Sequence, residues 1–473
     1  MELAFISALV AFSFLAAMRT SIQKYRKIIP PPSFVEFSIA NREATLSQVI
    51  LSVLATTLGG AIAIGFIGLV YRSGTAFYIA GLSFLIGLIM LYAMVSSIRR
   101  QVSEGSITSF EQYIAGGNSW LMALVGIVNI FAFIGLLVSQ IISLKLILLL
   151  RFPQYSEWLF PTIIVLVIIY TALYGLMGVM ENDKVQLSAI LLWVLAIIFA
   201  LGSDLDGVAS IASLPPEMLN GLAMGIPFIA VVIIFLPWTA LARADFWQRI
   251  VAAESDDNAK SALGVLIVTM FFMYSLFALT GLYLIATNPG LDFNSAPFEI
   301  LEALPDGLVT FAVVGIVAAL ISSADSFLNI SAISIMSLFR GVSQALGDDR
   351  QSTNPSGDDD LQQGKTYRLF ALAVGCTAYL LVMLYDNLGV WVIMATSAVG
   401  LIVPSFIGNM IRPDGGKIPN ITSIAVGIVI YAIALVSDRI KPDEAFVFAI
   451  LGATATYLIV LYVFGKMLVK EKI

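Results

Sequence analysis

ALISSADSF, residues 319–327, sets an aspartate and three serines into a run that is otherwise as apolar as a bilayer interior. On a helix, positions three and four apart share a face. Ala319, Ser322 and Ser323 therefore form one small patch, and Ser322, Asp325 and Ser326 form an adjoining one. A carboxylate near mid-membrane is costly unless it is paired, protonated or set against a wet cavity, which marks the stretch as a candidate site. Hydroxyl, carboxylate and freed carbonyl oxygens suit a small hard cation. A structural reading stands beside this one: small residues let helices pack closely, and serines bond back to their own helix.

The rest of the chain places that stretch in a membrane. Of 473 residues, 59% are hydrophobic and 12% charged, against roughly 25% charged in soluble domains; the mean hydropathy is +0.96. Apolar stretches long enough to cross about 30 Å of hydrocarbon recur throughout, whereas a β-barrel would show alternating segments of about ten residues. The expected fold class is an all-α integral membrane protein. Spans are predicted near 3–19, 46–71, 75–97, 119–150, 157–180, 184–203, 221–244, 262–287, 305–339, 367–386, 388–411, 421–437 and 444–466, thirteen in all.

An odd count puts the termini on opposite sides. Under this threading most Lys and Arg residues, from Arg19 and Arg42 through Arg99, Lys184 and Arg249 to Lys472, share one side. The other side keeps Arg72, Lys145, Arg151, Arg439 and Lys441. The positive-inside rule then sets the N-terminus outside and the C-terminus in the cytoplasm, as in a multi-pass protein of the bacterial inner membrane. The first apolar segment lacks a positive n-region and reads as a retained helix.

Several functions lose ground on composition alone. The chain has no histidine and a single cysteine, Cys376, so hydrolytic or metal-centred catalysis has little to work with. A net charge of −6 argues against nucleic acid as a partner. The second span carries the complement to the serine patch. In ATTLGGAIAIGFIG, residues 55–68, Thr56 and Thr57 precede the pair Gly59 and Gly60, where a helix opens most readily and presents carbonyls. Irregular backbone at that depth survives only where it lines a cavity, as in the broken helices of transporters. Close packing around glycine is the alternative.

At these residues the chain resembles the sodium:solute symporter family, which includes bacterial galactose, proline and sialic acid symporters. The likeness runs through FSIANREATLSQVILSVLATTLGGAIAIGFIGLVYRSG at 37–74, YGLMGVMENDKVQ at 174–186, ADFWQRIVAAESDDNAKSA at 244–262 and AALISSADSFLN at 318–329. It implies a LeuT-type core. Residues 1–45 would form an extra N-terminal helix and cytoplasmic loop, 46–203 a first inverted repeat, 221–411 a second with a flexible cytoplasmic loop at 341–366, and 412–473 two C-terminal transmembrane helices.

Carried over residue by residue, the resemblance places the principal sodium site on the carbonyls of Ala55, Leu58 and Ala319 and the hydroxyls of Ser322 and Ser323. A second sodium site of some members falls on Asp183, Ser322, Asp325 and Ser326; the sialic acid members usually have a serine where Asp325 stands, and two carboxylates suit either a tightly held cation or a shared proton. The stretch END at 181–183 also reads as a polar hairpin at the cytoplasmic surface.

For the solute, AIAIGF and FYIAGL stand where sugar-transporting members carry polar residues, and Thr57 stands where proline-type members carry an acid. Pro237 on the seventh span frees a carbonyl and kinks or breaks the helix. Arg243 is placed to clamp a carboxylate bidentately, unless it pairs with Asp245 or snorkels to the interface. Thr56, Thr57, Gly59, Gly60, Asn129, Ser139, Gln140, Trp238, Thr396 and Ser397 complete the candidate solute contacts.

The expected function is a non-enzymatic, sodium-coupled symporter importing a small polar or anionic solute by alternating access. Its partners would be the solute, sodium and the lipid bilayer, without nucleic acid, with a partner protein or homo-oligomer left open. The alternative is a transporter-like sensor, or the membrane subunit of an assembly, that binds without net transport. A third possibility is a proton-coupled carrier working through Asp325.

Overall fold

The computed structural model describes residues 34–292, 294–346, 357–411, 417–437 and 442–470, with scattered positions among the first fifteen. Most of the expected first span lies outside the described residues, as do Arg19, Arg350, Arg412, Arg439, Lys441 and Lys472. The broken second span gives α1 (Leu46–Thr57) and α2 (Gly60–Ser73). There follow α3 (Thr75–Glu104), the short α4 (Phe110–Ala115), α5 (Ser119–Arg151), α6 (Ser156–Ser203), α7 (Ile226–Leu241), α8 (Ala244–Ala252), α9 (Asp256–Thr287) and α10 (Asp306–Ala345). The last five are α11 (Gly357–Leu384), α12 (Leu388–Gly400), α13 (Val403–Ile411), α14 (Lys417–Val436) and α15 (Pro442–Lys470).

Among the described residues, eight helices are long and apolar enough to cross a membrane, and the shorter apolar helices include α1 and much of α2. The distribution of side chains follows the same logic. Phe272, Ile433, Leu380 and Leu195 stand exposed, whereas Asn182, Asp183, Ser322, Asp325 and Asn329 are fully buried. An apolar skin over a polar interior is the inverse of a water-soluble surface, and hydrocarbon is the solvent that stabilises it.

The centre is α10. Its apolar stretch is 83% buried, against 44% for α3 and α9, and it packs chiefly on α5 and α6. Polar ties hold several helix ends. Arg99 at the end of α3 donates to the carbonyls of Ile250 (2.7 Å) and Ala253 (2.7 Å) and pairs with Asp256 (2.7 Å). It thereby caps the C-terminal carbonyls of α8 from a neighbouring helix. Glu111 on α4 accepts from Asn129 of α5 (2.8 Å) and Ser334 of α10 (2.6 Å).

Three local expectations change. The spans predicted at 157–180 and 184–203 do not meet in a surface hairpin at 181–183. They form one 48-residue helical stretch whose direction reverses at Gly175, with φ 55° and ψ −149°. A straight helix would set Tyr170 and Asp183 about 20 Å apart along its axis. Yet Tyr170 hydrogen-bonds Asp325 and Asp183 meets Ser322, residues one turn apart on α10. Pro237 lies inside α7, which runs on to Leu241; the break comes at Ala242 and Arg243, before α8. The expected loop at 341–366 is shorter, because α10 stays helical to Ala345 and α11 begins at Gly357; SQA and QQGK carry no helix-breaking proline.

Gly175 sits in a backbone region essentially reserved for glycine, and an added Cβ would lie 2.3 Å from the Phe37 ring. Gly175→Ala is expected to cost at least about 1–3 kcal/mol from backbone conformation alone, and more from the collision. A lowered apparent Tm in detergent would show it; an unchanged Tm would mean that the reversal relaxes elsewhere.

Candidate ion and solute site

The site starts from a fault in a helix. α1 ends at Thr57, Leu58 forms a turn, and Gly59 takes an extended conformation (φ −46°, ψ 134°) before α2 begins. The Gly59 N–H donates to Thr56 O at 3.2 Å, rather than to Ala55 O as an unbroken helix would require. The carbonyls around the break are thereby released from the helical ladder. The negative φ is open to any residue, so what demands glycine here is space: an added Cβ would meet the Ser323 hydroxyl at 1.9 Å. A Cβ added at Gly60 would lie 2.6 Å from the Leu320 side chain, and Ser323 Oγ donates to Thr56 O at 3.2 Å.

The break is thus pressed against the serine patch of α10. Ala55, Ala319, Ser322 and Ser323 are 0% exposed and Leu58 1%. All five residues expected at a principal cation site lie on the two segments that meet at this contact.

The second candidate set also converges, around a cation that belongs to the protein. Arg249 of α8 is 1% exposed. Its Nε donates to Ser52 (2.9 Å), its Nη2 to Thr56 Oγ1 (2.5 Å) and Ser326 Oγ (2.8 Å), and its Nη1 to the Asp245 carbonyl (3.2 Å). Asp183 Oδ2 stands 4.0 Å from the guanidinium, while Asp183 Oδ1 accepts the Ser322 hydroxyl at 2.5 Å. Asp325 accepts from the Tyr170 phenol at 2.7 Å and from Ser326 at 3.4 Å. Tyr170 in turn neighbours Asn182 and Gln186, which the reversal at Gly175 folds back toward it.

The solute candidates disperse. A cavity of about 170 Å³ lies between α2, α3, α7 and α12, with Phe66, Phe77, Phe84 and Tyr274 among its walls. Arg243 and Thr396 line it; Thr56, Thr57, Gly59, Gly60, Asn129, Gln140, Trp238 and Ser397 do not. Thr56 and the two glycines lie instead at the break in the second span, against α10. Thr57 bonds back to Val53 O (2.6 Å), Ser139 to Leu136 O (2.6 Å), and Asn129 serves Glu111. Arg243 already forks onto Asp245, Nε to Oδ1 at 2.9 Å and Nη2 to Oδ2 at 2.5 Å, and lies over the Phe246 ring. The ion pair left open by the sequence is therefore the one formed. Sequence reasoning missed Tyr170, the aromatic walls and the contacts of Arg249, which it counted among the basic residues of one membrane side.

Two substitutions test the construction. Gly59→Ala is expected to force the break away from Ser323 and destabilise the protein by about 1–3 kcal/mol, the usual range for overpacking, read as a Tm shift. Arg249→Met leaves Asp183 without its guanidinium and is expected to cost about 3–5 kcal/mol, as when one partner of a buried pair is removed. Chemical denaturation of the purified protein that finds no loss would sever Arg249 from the fold.

No protein-family model matches the chain. It is 26% identical over 388 residues to the sodium/sialic acid symporter NanT of Aliivibrio fischeri, covering 76% of this chain and 74% of that protein. Its fold matches that of a Na+-coupled sialic acid symporter in a substrate-bound outward-open state, with a TM-score of 0.77 at 18% identity over 98% of this chain and 97% of the other. A second match is Mhp1, a nucleobase-cation-symport-1 family transporter, in a closed conformation with bromovinylhydantoin bound. There the TM-score is 0.56 at 14% identity, over 92% of this chain and 96% of the other. The chain is a multi-helical membrane protein, related in sequence to a sodium/sialic acid symporter and sharing the fold of a Na+-coupled sialic acid symporter.

Proposed function

We propose that the protein is a sodium-coupled symporter of the bacterial inner membrane, importing a small polar or anionic solute by alternating access. The observation that carries this reading is the contact between the unwound Leu58–Gly59 segment and Ser323. Carbonyl oxygens of Ala55, Leu58 and Ala319 and the hydroxyls of Ser322 and Ser323 would together replace the water shell of a travelling sodium ion. The family resemblance of AALISSADSFLN and the relationship to a sodium/sialic acid symporter point the same way.

Charge counting supports one sodium ion per cycle. With both carboxylates ionised, Asp183 and Asp325 face one guanidinium, Arg249, which leaves an excess of one negative charge beside Ser322. A single monovalent cation at the principal set balances it. At the second set, Ser326 and Asp183 are already engaged with Arg249, so a further sodium ion there would have to displace or share that cation. An inward sodium gradient would supply about 2.3 kcal/mol per charge per 100 mV, plus its concentration term.

The matching breaks, at Leu58–Gly59 and at Ala242–Arg243, lie in the first helices of the two proposed repeats, 46–203 and 221–411. That placement agrees with the paired discontinuous helices of inverted-repeat transporters. The thirteen-span count, with the N-terminus outside, is the topology we assign to this architecture.

In proteoliposomes with an imposed sodium gradient, solute accumulation is expected to depend on sodium with a Hill coefficient near 1. Ser322→Ala or Ser323→Ala is expected to raise the sodium concentration for half-maximal uptake about tenfold, equivalent to some 1.4 kcal/mol. Solute binding without accumulation would instead make the protein a sensor or a subunit of an assembly. Uptake driven by a pH gradient, indifferent to sodium and lost in Asp325→Asn, would make it a proton-coupled carrier.

A further inference from the structure

We infer that the solute is a compact aromatic monocarboxylate, one ring bearing one acid group, and not a polyhydroxylated sugar acid. This rests on the symporter reading above and narrows it to a class. The cavity between α2, α3, α7 and α12 measures about 170 Å³, close to the roughly 150 Å³ of apolar cavities that hold benzene. Phe66, Phe77, Phe84 and Tyr274 furnish flat walls, with Phe66 tilted against Tyr274 at 4.9 Å and edge-on to Phe77 at 6.0 Å. Such walls favour a ring in offset or edge-on contact.

The polar groups that line the cavity are few and mostly committed. Thr239 donates its hydroxyl hydrogen to Leu236 O (2.7 Å), and Thr396 donates its own to Val392 O (2.8 Å). Beside these, the Tyr274 hydroxyl and Arg243 complete the polar lining, fewer groups than the hydroxyls a sugar acid would bring, and each unmade bond costs affinity. Arg243 is the charged residue on the lining. Its fork on Asp245 uses Nε and Nη2 and leaves Nη1 for a ligand, because a guanidinium carries five N–H donors. Asp245 is 1% exposed and is absent from the lining, so a solute meets the N–H edge and not the carboxylate.

The Arg243–Asp245 pair is neutral overall, which suits one carboxylate better than a dianion. A second positive charge is close by in the proposed cycle. Gly65 on the cavity wall lies five residues along α2 from Gly60, about 7.5 Å by helical rise. Sodium held at the break would then sit within electrostatic reach of the solute's acid group. An amine is disfavoured because the pair presents only N–H donors to the cavity, and an ammonium has no acceptor for them.

The test uses the purified full-length protein and three probes: benzoate, benzamide and N-acetylneuraminate. Each is titrated by calorimetry in sodium and in potassium buffer. Benzoate is expected to bind in sodium at least tenfold more tightly than in potassium, and at least tenfold more tightly than either other probe. Arg243→Lys, which keeps a cation beside Asp245 but loses the fork and its outer N–H edge, is expected to weaken benzoate at least tenfold. Phe66→Leu, which leaves the ion pair intact, is expected to weaken it several-fold. Benzamide or N-acetylneuraminate binding as tightly as benzoate would overturn the inference, as would benzoate affinity unmoved in both variants. Failure of benzoate to bind, while sodium still raises the Tm of the wild type over potassium and not that of Ser322→Ala, would sink the solute class alone. Loss of that sodium effect in the wild type would sink the symporter reading itself.

Discussion

Hydrocarbon offers no partner to a bare carbonyl, and that constraint orders this chain. Among the described residues the long helices keep most of their backbone bonds to themselves, and the break at Leu58–Gly59 is buried against α10. The same contact that permits the break gives it a use. Carbonyls released from one helix face hydroxyls presented by another, so an oxygen-lined position forms only where α1, α2 and α10 are docked. A cation there would bridge separate elements, and its arrival and departure are natural points at which their relative placement changes.

Behind that contact stands a buried charge network that ties four elements together. Arg249 reaches from α8 to Ser52 and Thr56 of α1 and to Ser326 of α10, while Asp183 of α6 faces it from the other side. Buried ion pairs add little net stability compared with apolar packing, but they penalise wrong arrangements heavily. In the proposed transport cycle, that penalty would define which packings are allowed. The Tyr170 hydrogen bond to Asp325 extends the network into the first arm of α6, so both arms of the hairpin meet α10 through polar side chains.

Much of this was legible in the residues. The all-helical membrane character follows from apolar run length, the break from a glycine pair inside such a run, and the oxygen patch from helical spacing in ALISSADSF. What stayed hidden has a common cause, because it depends on partners far away in sequence. END at 181–183 looks like a surface turn, yet Asn182 and Asp183 are buried by groups up to 140 positions distant, and the reversal is made by Gly175. Arg243 looked free to bind a solute because nothing local reveals how its fork on Asp245 is oriented. The cavity walls were invisible for a simpler reason: a phenylalanine that lines a void and one that fills it have the same sequence signature. Pro237 misled in the opposite direction, since α7 tolerates it and breaks further on.

α2 joins two places in the molecule. The residue before it, Gly59, abuts the serine patch, and Gly65, Phe66 and Leu69 line the aromatic cavity. A single rigid rod therefore reports to both places. Whatever factor an occupant of one end contributes to affinity at the other must be returned in equal measure, by reciprocity of linked equilibria. In the proposed symport, the stiffness of that one helix would set how tightly two cargoes are yoked, and slack in it would appear as ions crossing alone.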